Sequence, residues 1–155
     1  MARKAKGQSL IEFAVSTMVF IPVALLLADC FLIVCGLQVN ETVCREAARL
    51  ASAGDPTYAV ARARQIVSSE LIYNHSPFTV QLVEAETTVN KSQLEALRPY
   101  GGLVSGAVTV STEVAVKPLI LSWFLGGGAK LLHFQTKQEF PCTYVMPNAS
   151  EHVSI

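Results

Sequence analysis

Few residues in this sequence have the types and spacing that chemistry requires. His75, His133 and His152 are scattered, with no second ligand at zinc-site spacing, so no metal is expected. Gly126-Gly127-Gly128-Ala129-Lys130 lacks the leading glycine spacing and the Ser/Thr of a phosphate loop, and no Gly-x-Ser-x-Gly elbow presents a nucleophile. Neither an enzyme nor a cofactor nor a small-molecule substrate is expected. The informative groups are two acids in apolar surroundings. Glu12 falls just inside the start of a hydrophobic run, where a lone carboxylate in hydrocarbon costs several kcal/mol and marks a paired, functional group. Asp29 lies seventeen residues further on, about 25 Å along a helix, and either marks where water begins or pairs with a neighbouring subunit within the membrane.

The cysteines and asparagines carry weaker signals. Cys30 and Cys35 sit in the apolar run, five apart and pointing in different directions on a helix, as apolar filler. Cys44 and Cys142 lie beyond it, where an oxidising compartment permits a disulfide between them. Every asparagine (Asn40, Asn74, Asn90, Asn148) begins an Asn-x-Ser/Thr triplet, a pattern suited to a glycoprotein.

The element that must position both acids is the apolar run itself. Leu10 to Leu37 is about 28 residues, or about 42 Å as a helix, against a hydrocarbon core of about 30 Å. It is too long for the apolar region of a secretory signal peptide. Arg3, Lys4 and Lys6 precede it, so the positive-inside rule holds the N-terminus in the cytoplasm and translocates the chain beyond Leu37. Ser16 and Thr17 can bond back to helix carbonyls, and Pro22 should kink the helix near Met18. Net charge is zero and there is no basic cluster beyond the leader, so nucleic acid is not an expected partner.

Beyond the run, Gln38 to Ala53 reads as an amphipathic helical stem with Val39, Val43, Ala47, Leu50 and Ala51 at helical spacing and a Glu41–Arg45 pair. The small residues Ala47, Ala48, Ala51 and Ala53 are expected to pack on the chain's own domain. Gly54 ends this helix, and Asp55-Pro56 starts another over 57–73, with Val60, Ala63, Val67 and Leu71 buried and Arg62, Arg64 and Glu70 facing water. Strands are expected over 78–89, 107–116 and 132–140, with a helical turn at 93–97. An apolar excursion, Leu119 to Leu125, contains the sole tryptophan, Trp123; it either covers the sheet or touches a partner subunit. The expected fold is α+β: a long N-terminal helix spanning the membrane and extending into a stem, a second helix, and an antiparallel sheet of three or four strands. The expected divisions are a leader at 1–7, a span at 8–37, a stem at 38–53, an extracytoplasmic domain at 54–147 and a loose tail at 148–155.

A basic leader ending in Gly7, then Gln8-Ser9-Leu10-Ile11-Glu12-Phe13 and an apolar helix, resembles the class III signal of type IV pilins and pseudopilins. Gly-Gln-Ser-Leu-Ile-Glu-Phe-Ala is most similar to the TadE-like minor pseudopilins of tight-adherence (Tad) pili. The resemblance covers about the first quarter of the chain. It implies cleavage between Gly7 and Gln8 by a prepilin peptidase, with Glu12 as the fifth mature residue and Glu12 and Phe13 serving subunit assembly. An acid such as Asp29 near the end of the run is common in that family. The implied partners are the peptidase, the major pilin, a sister pseudopilin and the inner-membrane assembly platform. The implied setting is a bacterial inner membrane, single pass, with transfer to the pilus or cell surface, and adhesion downstream. Alternatives are a pseudopilin of a related secretion system, or a type II membrane-anchored glycoprotein acting as a binding module.

Overall fold

The computed structural model describes residues 3–69, 78–97, 99–118, 120–121 and 131–146, without the side chains of 3–7, 69 and 91. The chain is α+β. Helix α1 (Arg3–Ser52) is followed by a 3-10 turn (Pro56–Tyr58), α2 (Ala59–Ser69), β1 (Phe78–Thr87), α3 (Lys91–Leu97), β2 (Gly102–Val116) and β3 (Leu132–Met146).

Helix α1 is one continuous element that runs through Pro22 and past residue 37 without interruption. What changes along it is its covering. Nearly every side chain from Gln8 to Ala28 is exposed, Phe13 at 73% and Met18 at 79% among them. From Asp29 onward a stripe at helical spacing is buried: Asp29, Gly36, Asn40, Val43, Cys44, Ala47, Ala48 and Ala51. The folded domain therefore takes up α1 from Asp29, nine residues earlier than the expected stem at 38. Gly54, at φ +92°, closes the helix in the left-handed conformation that glycine adopts without strain.

The three strands form an antiparallel meander in the order β1-β2-β3. Even-numbered residues of β2, Val108, Val110, Thr112, Val114 and Val116, are fully buried beneath α1. β2 begins at Gly102, five residues before the expected start, and β3 runs on to Met146 through Pro141. A proline, which lacks an N–H, is tolerated there because β3 is an edge strand. A bulge between Leu82 and Glu84 interrupts the pairing of β1 with β2.

Small side chains let the helices come close. Ala47, Ala48 and Ala51 of α1 and Ala59 and Ala63 of α2 are fully buried in one core with the β2 valines. Asp55 caps the turn that opens α2, accepting from the Thr57 N–H at 2.8 Å, with Pro56 at its first position. Arg62 does not face water as expected. Its Nη2 donates to the carbonyls of Ala51 (2.9 Å) and Asp55 (2.8 Å), placing a cation on the C-terminal end of α1. Leu71 and Glu70, the expected end of the second helix, lie outside the described residues.

Candidate functional site

The sequence placed the functional weight on the N-terminal half of α1. Gly7 and Gln8 lie within the helix, which begins at Arg3. Glu12 stands on an uncovered surface beside Leu10, Ile11 and Phe13, each more than 60% exposed. Gln8, one turn earlier, donates from Nε2 to Glu12 Oε1 at 3.4 Å. Thr17 bonds back to the Phe13 carbonyl at 2.8 Å, removing its hydroxyl from the apolar surface. This helix is long and apolar enough to span a membrane once. The uncovered stretch from Leu10 to Ala28 is about 19 residues, or about 28 Å, close to the thickness of a hydrocarbon core.

Asp29 ends that stretch, and its surroundings differ from both sequence readings. It is 1% exposed. Its Oδ2 accepts the backbone N–H groups of Ile120 (2.6 Å) and Leu121 (2.8 Å), from the chain that leaves β2. The carboxylate is thus tied within its own chain, to a segment 91 residues away in sequence. Pro118, just before that segment, is also fully buried. Trp123 lies outside the described residues.

Asn40 is a second polar centre on the same helical stripe. Its side chain is wholly buried, donating to the Phe134 carbonyl (3.3 Å) and Thr136 Oγ1 (3.0 Å) and accepting from Thr112 Oγ1 (2.8 Å). One amide therefore fastens α1 to both β2 and β3. It has no room for a glycan, so the triplet at Asn40 is not a glycosylation site of the folded protein. Asn90 is exposed, and its Oδ1 caps the start of α3 through Ser92; Asn74 and Asn148 lie outside the described residues.

The Cys44–Cys142 disulfide that the sequence permits is absent: all four cysteines are free. Cys44 Sγ donates toward the carbonyls of Val110 (3.3 Å) and Thr136 (3.5 Å). Cys142 pairs with Gly106, four residues along β2 from Val110 and so about 13 Å away. A bridge needs Cα atoms within about 7 Å. Burial pushes both thiols above their ordinary value, opposed at Cys142 by the charge of Arg62, which leaves them as unreactive core groups.

On the opposite, open face of the sheet, Glu113 meets Gln135 Nε2 at 3.1 Å and the His133 imidazole. These hydrogen bonds, Gln135 first, hold the Glu113 carboxyl below its usual range. His75 and His152 lie outside the described residues, and among the described residues no three His, Cys, Asp or Glu side chains converge on one point.

Spacing alone gave the Glu41–Arg45 pair, which closes at 2.6 Å. The roles of Asp29, Asn40 and Arg62 were missed. A usable signal existed for the first two: residues 29, 33, 36, 40, 43 and 47 share one helical face, and a polar residue on an otherwise apolar stripe implies a buried partner. No family model matches the chain, and no curated protein or solved structure matches it either.

Proposed function

We propose that the protein is a minor pseudopilin of a Tad or related type IV-like pilus, processed by a prepilin peptidase and taking part in assembly of a fibre used in surface adhesion. The observation that carries the reading is Glu12. It is an acid on a bare apolar helix, five residues beyond a glycine that follows a basic leader. The division of α1 into an uncovered half and a half packed on an antiparallel sheet supports it, since a subunit of this kind needs one half for lipid or for neighbouring helices and the other for its domain.

In this reading the leader stays in the cytoplasm, the uncovered half of α1 crosses a bacterial inner membrane, and the domain lies outside. Cleavage after Gly7 turns Gln8 into an ammonium terminus. The scissile bond sits in a helix, and glycine there lowers the cost of local unwinding by about 1 kcal/mol relative to alanine. The new cation of one subunit then meets the Glu12 carboxylate of its neighbour. At about 4 Å and an effective dielectric near 20, the attraction is roughly 4 kcal/mol before desolvation is subtracted, and it favours one axial register. The partners are the peptidase, the major pilin, a sister pseudopilin and the assembly platform.

Mass spectrometry of the protein purified from fibre-producing cells tests this directly. The expected first residue is Gln8, and Gly7→Ala should leave the leader attached. Intact protein still beginning at Met1 or Ala2 in such cells would overturn the reading. Burial of Asn40 removes one of the triplets on which the glycoprotein alternative stood.

A further inference from the structure

The chain that leaves β2 and the chain that enters β3 meet the same end of the domain. In the first, Ile120 and Leu121 are tied through their N–H groups to Asp29. In the second, Leu132 pairs with Val116, and Val116 Cγ2 lies only 2.7 Å from where a Cβ on Gly36 would stand. Asp29 and Gly36 are the first fully buried positions of α1 after its uncovered stretch. With Leu10 at one boundary of a hydrocarbon core, Asp29 is about 28 Å along the helix, at the opposite boundary of a core about 30 Å thick. The side chains at this end are apolar, with a cation beside them: Ile120 and Leu121 are half-buried, Leu131 is 48% exposed and Lys117 is exposed.

We propose that this end of the domain is a lipid-contacting surface, in which Ile120, Leu121 and Leu131 rest on the outer headgroup–acyl boundary of the bilayer and Asp29 holds them there. The inference rests on the membrane-spanning reading of α1. Apolar side chains gain from burial at that depth, and Lys117 reaches lipid phosphate. Asp29 makes the arrangement tolerable: the two N–H groups would otherwise be unsatisfied near hydrocarbon, and the carboxylate exchanges water for two charge-assisted hydrogen bonds. Ile120 and Leu121 thus contact lipid without leaving their backbone donors bare. They also set the height and tilt of the domain above the membrane.

The chain contains one tryptophan, Trp123, two residues beyond Leu121 and so within about 7 Å of it along the chain. The test uses the full-length protein in phosphatidylcholine vesicles carrying nitroxide-labelled lipid, with the label either shallow (acyl carbon 5) or deep (acyl carbon 12). Trp123 should be quenched by the shallow label at least about twice as strongly as by the deep one, and weakly by aqueous acrylamide. Asp29→Ala should cut the shallow quenching at least about twofold. Ile120→Pro, which deletes one donor without touching α1, should do the same. A Trp123→Phe, Phe20→Trp double variant reports on the span itself and should respond to the deep label. If that reporter responds while Trp123 answers acrylamide alone, or no quencher, the lipid contact is wrong and the span stands. If the reporter is not quenched by lipid, the membrane reading falls and the contact with it. Shallow quenching that is unchanged in both Asp29→Ala and Ile120→Pro would overturn the role given to Asp29.

Discussion

Asn40 and Glu113 place polar groups on opposite faces of the same sheet, and the consequences of removing them differ accordingly. The Asn40 amide has no access to water, so truncating it strands the buried Thr112 hydroxyl and takes a donor from the partly buried Thr136 hydroxyl and Phe134 carbonyl. A buried group left without a partner costs about 1–3 kcal/mol, and three bonds are lost together here, so Asn40→Ala should destabilise the domain by about 2–4 kcal/mol in urea unfolding. Removing the Asn-x-Thr triplet instead by Thr42→Ala spares this network; the Thr42 hydroxyl bonds to the Gln38 carbonyl in its own helix, and the change should be nearly neutral. Glu113 is solvated, and its effect appears only in pH dependence. Its carboxyl is held below the ordinary 4.5 by hydrogen bonds from Gln135 and His133. A depressed carboxylate stabilises the fold at pH values above its unfolded pKa, and the contribution is lost as pH falls through the lower folded value. The stability difference between the wild type and Glu113→Gln should therefore shrink as pH falls below about 4.5. A difference that grows on acidification would contradict the assignment.

At the scale of elements, the period-2 and period-3.6 patterns were legible wherever one face is buried and the other is not. The odd and even residues of β2 from Ala107 onward alternate as anticipated, and so do the α1 positions Val43, Ala47 and Ala51. The early part of β2 was not legible, because Gly102 and Gly106 have no side chains to carry an alternating pattern. Gly106 is a packing necessity: a Cβ there would stand 2.5 Å from Val89 Cγ2. β3 beyond residue 140 was hidden behind Pro141, whose meaning depends on strand order, which sequence does not carry. Leu50 was assigned to the buried stripe of α1 by its spacing, yet it is 42% exposed, since α2 and the sheet together cover a narrower arc than the apolar residues fill. Gly36 illustrates contact between elements most sharply. The stiff, fully buried Val116 side chain occupies the place of its missing Cβ. Gly36→Ala gains about 1 kcal/mol of helix propensity but overpacks the interface by about 1–3 kcal/mol, so a net loss is expected. Val116→Ala should relieve the clash. Thermal melts of the two single variants and the double variant should thus be non-additive, with the double variant more stable than the sum of the two losses implies.

For the whole molecule, the consequential result is that the apolar run and the folded domain overlap in sequence. Composition shows a hydrophobic stretch that continues past Asp29 to Leu37, because side chains that face lipid and side chains that face a protein core are the same kinds. Asp29 was one possible boundary in the sequence, and tertiary contact makes it the point of division: the first buried side chain appears there and the chain leaving β2 is tied down. Glu12 stands out in the sequence for the opposite reason: it is a charge inside an apolar run. The overlap makes a quantitative prediction about the minimal folding unit. A fragment of residues 29–155 retains the Asp29 tie, the close approach of Gly36 to Val116 and the contact of Ile33 with the core. It should fold as a soluble domain. A fragment of residues 38–155, cut at the boundary that hydropathy suggests, loses all three and exposes the end of the sheet at Val116. Losing one partly buried isoleucine and two charge-assisted hydrogen bonds removes on the order of 3 kcal/mol, and for a domain of this size that lowers Tm by on the order of 10 °C. Circular dichroism melts of the two fragments decide the matter. Equal melting temperatures would mean that residues 29–37 belong to the membrane-facing helix alone. A gap of the expected size would place them in the domain.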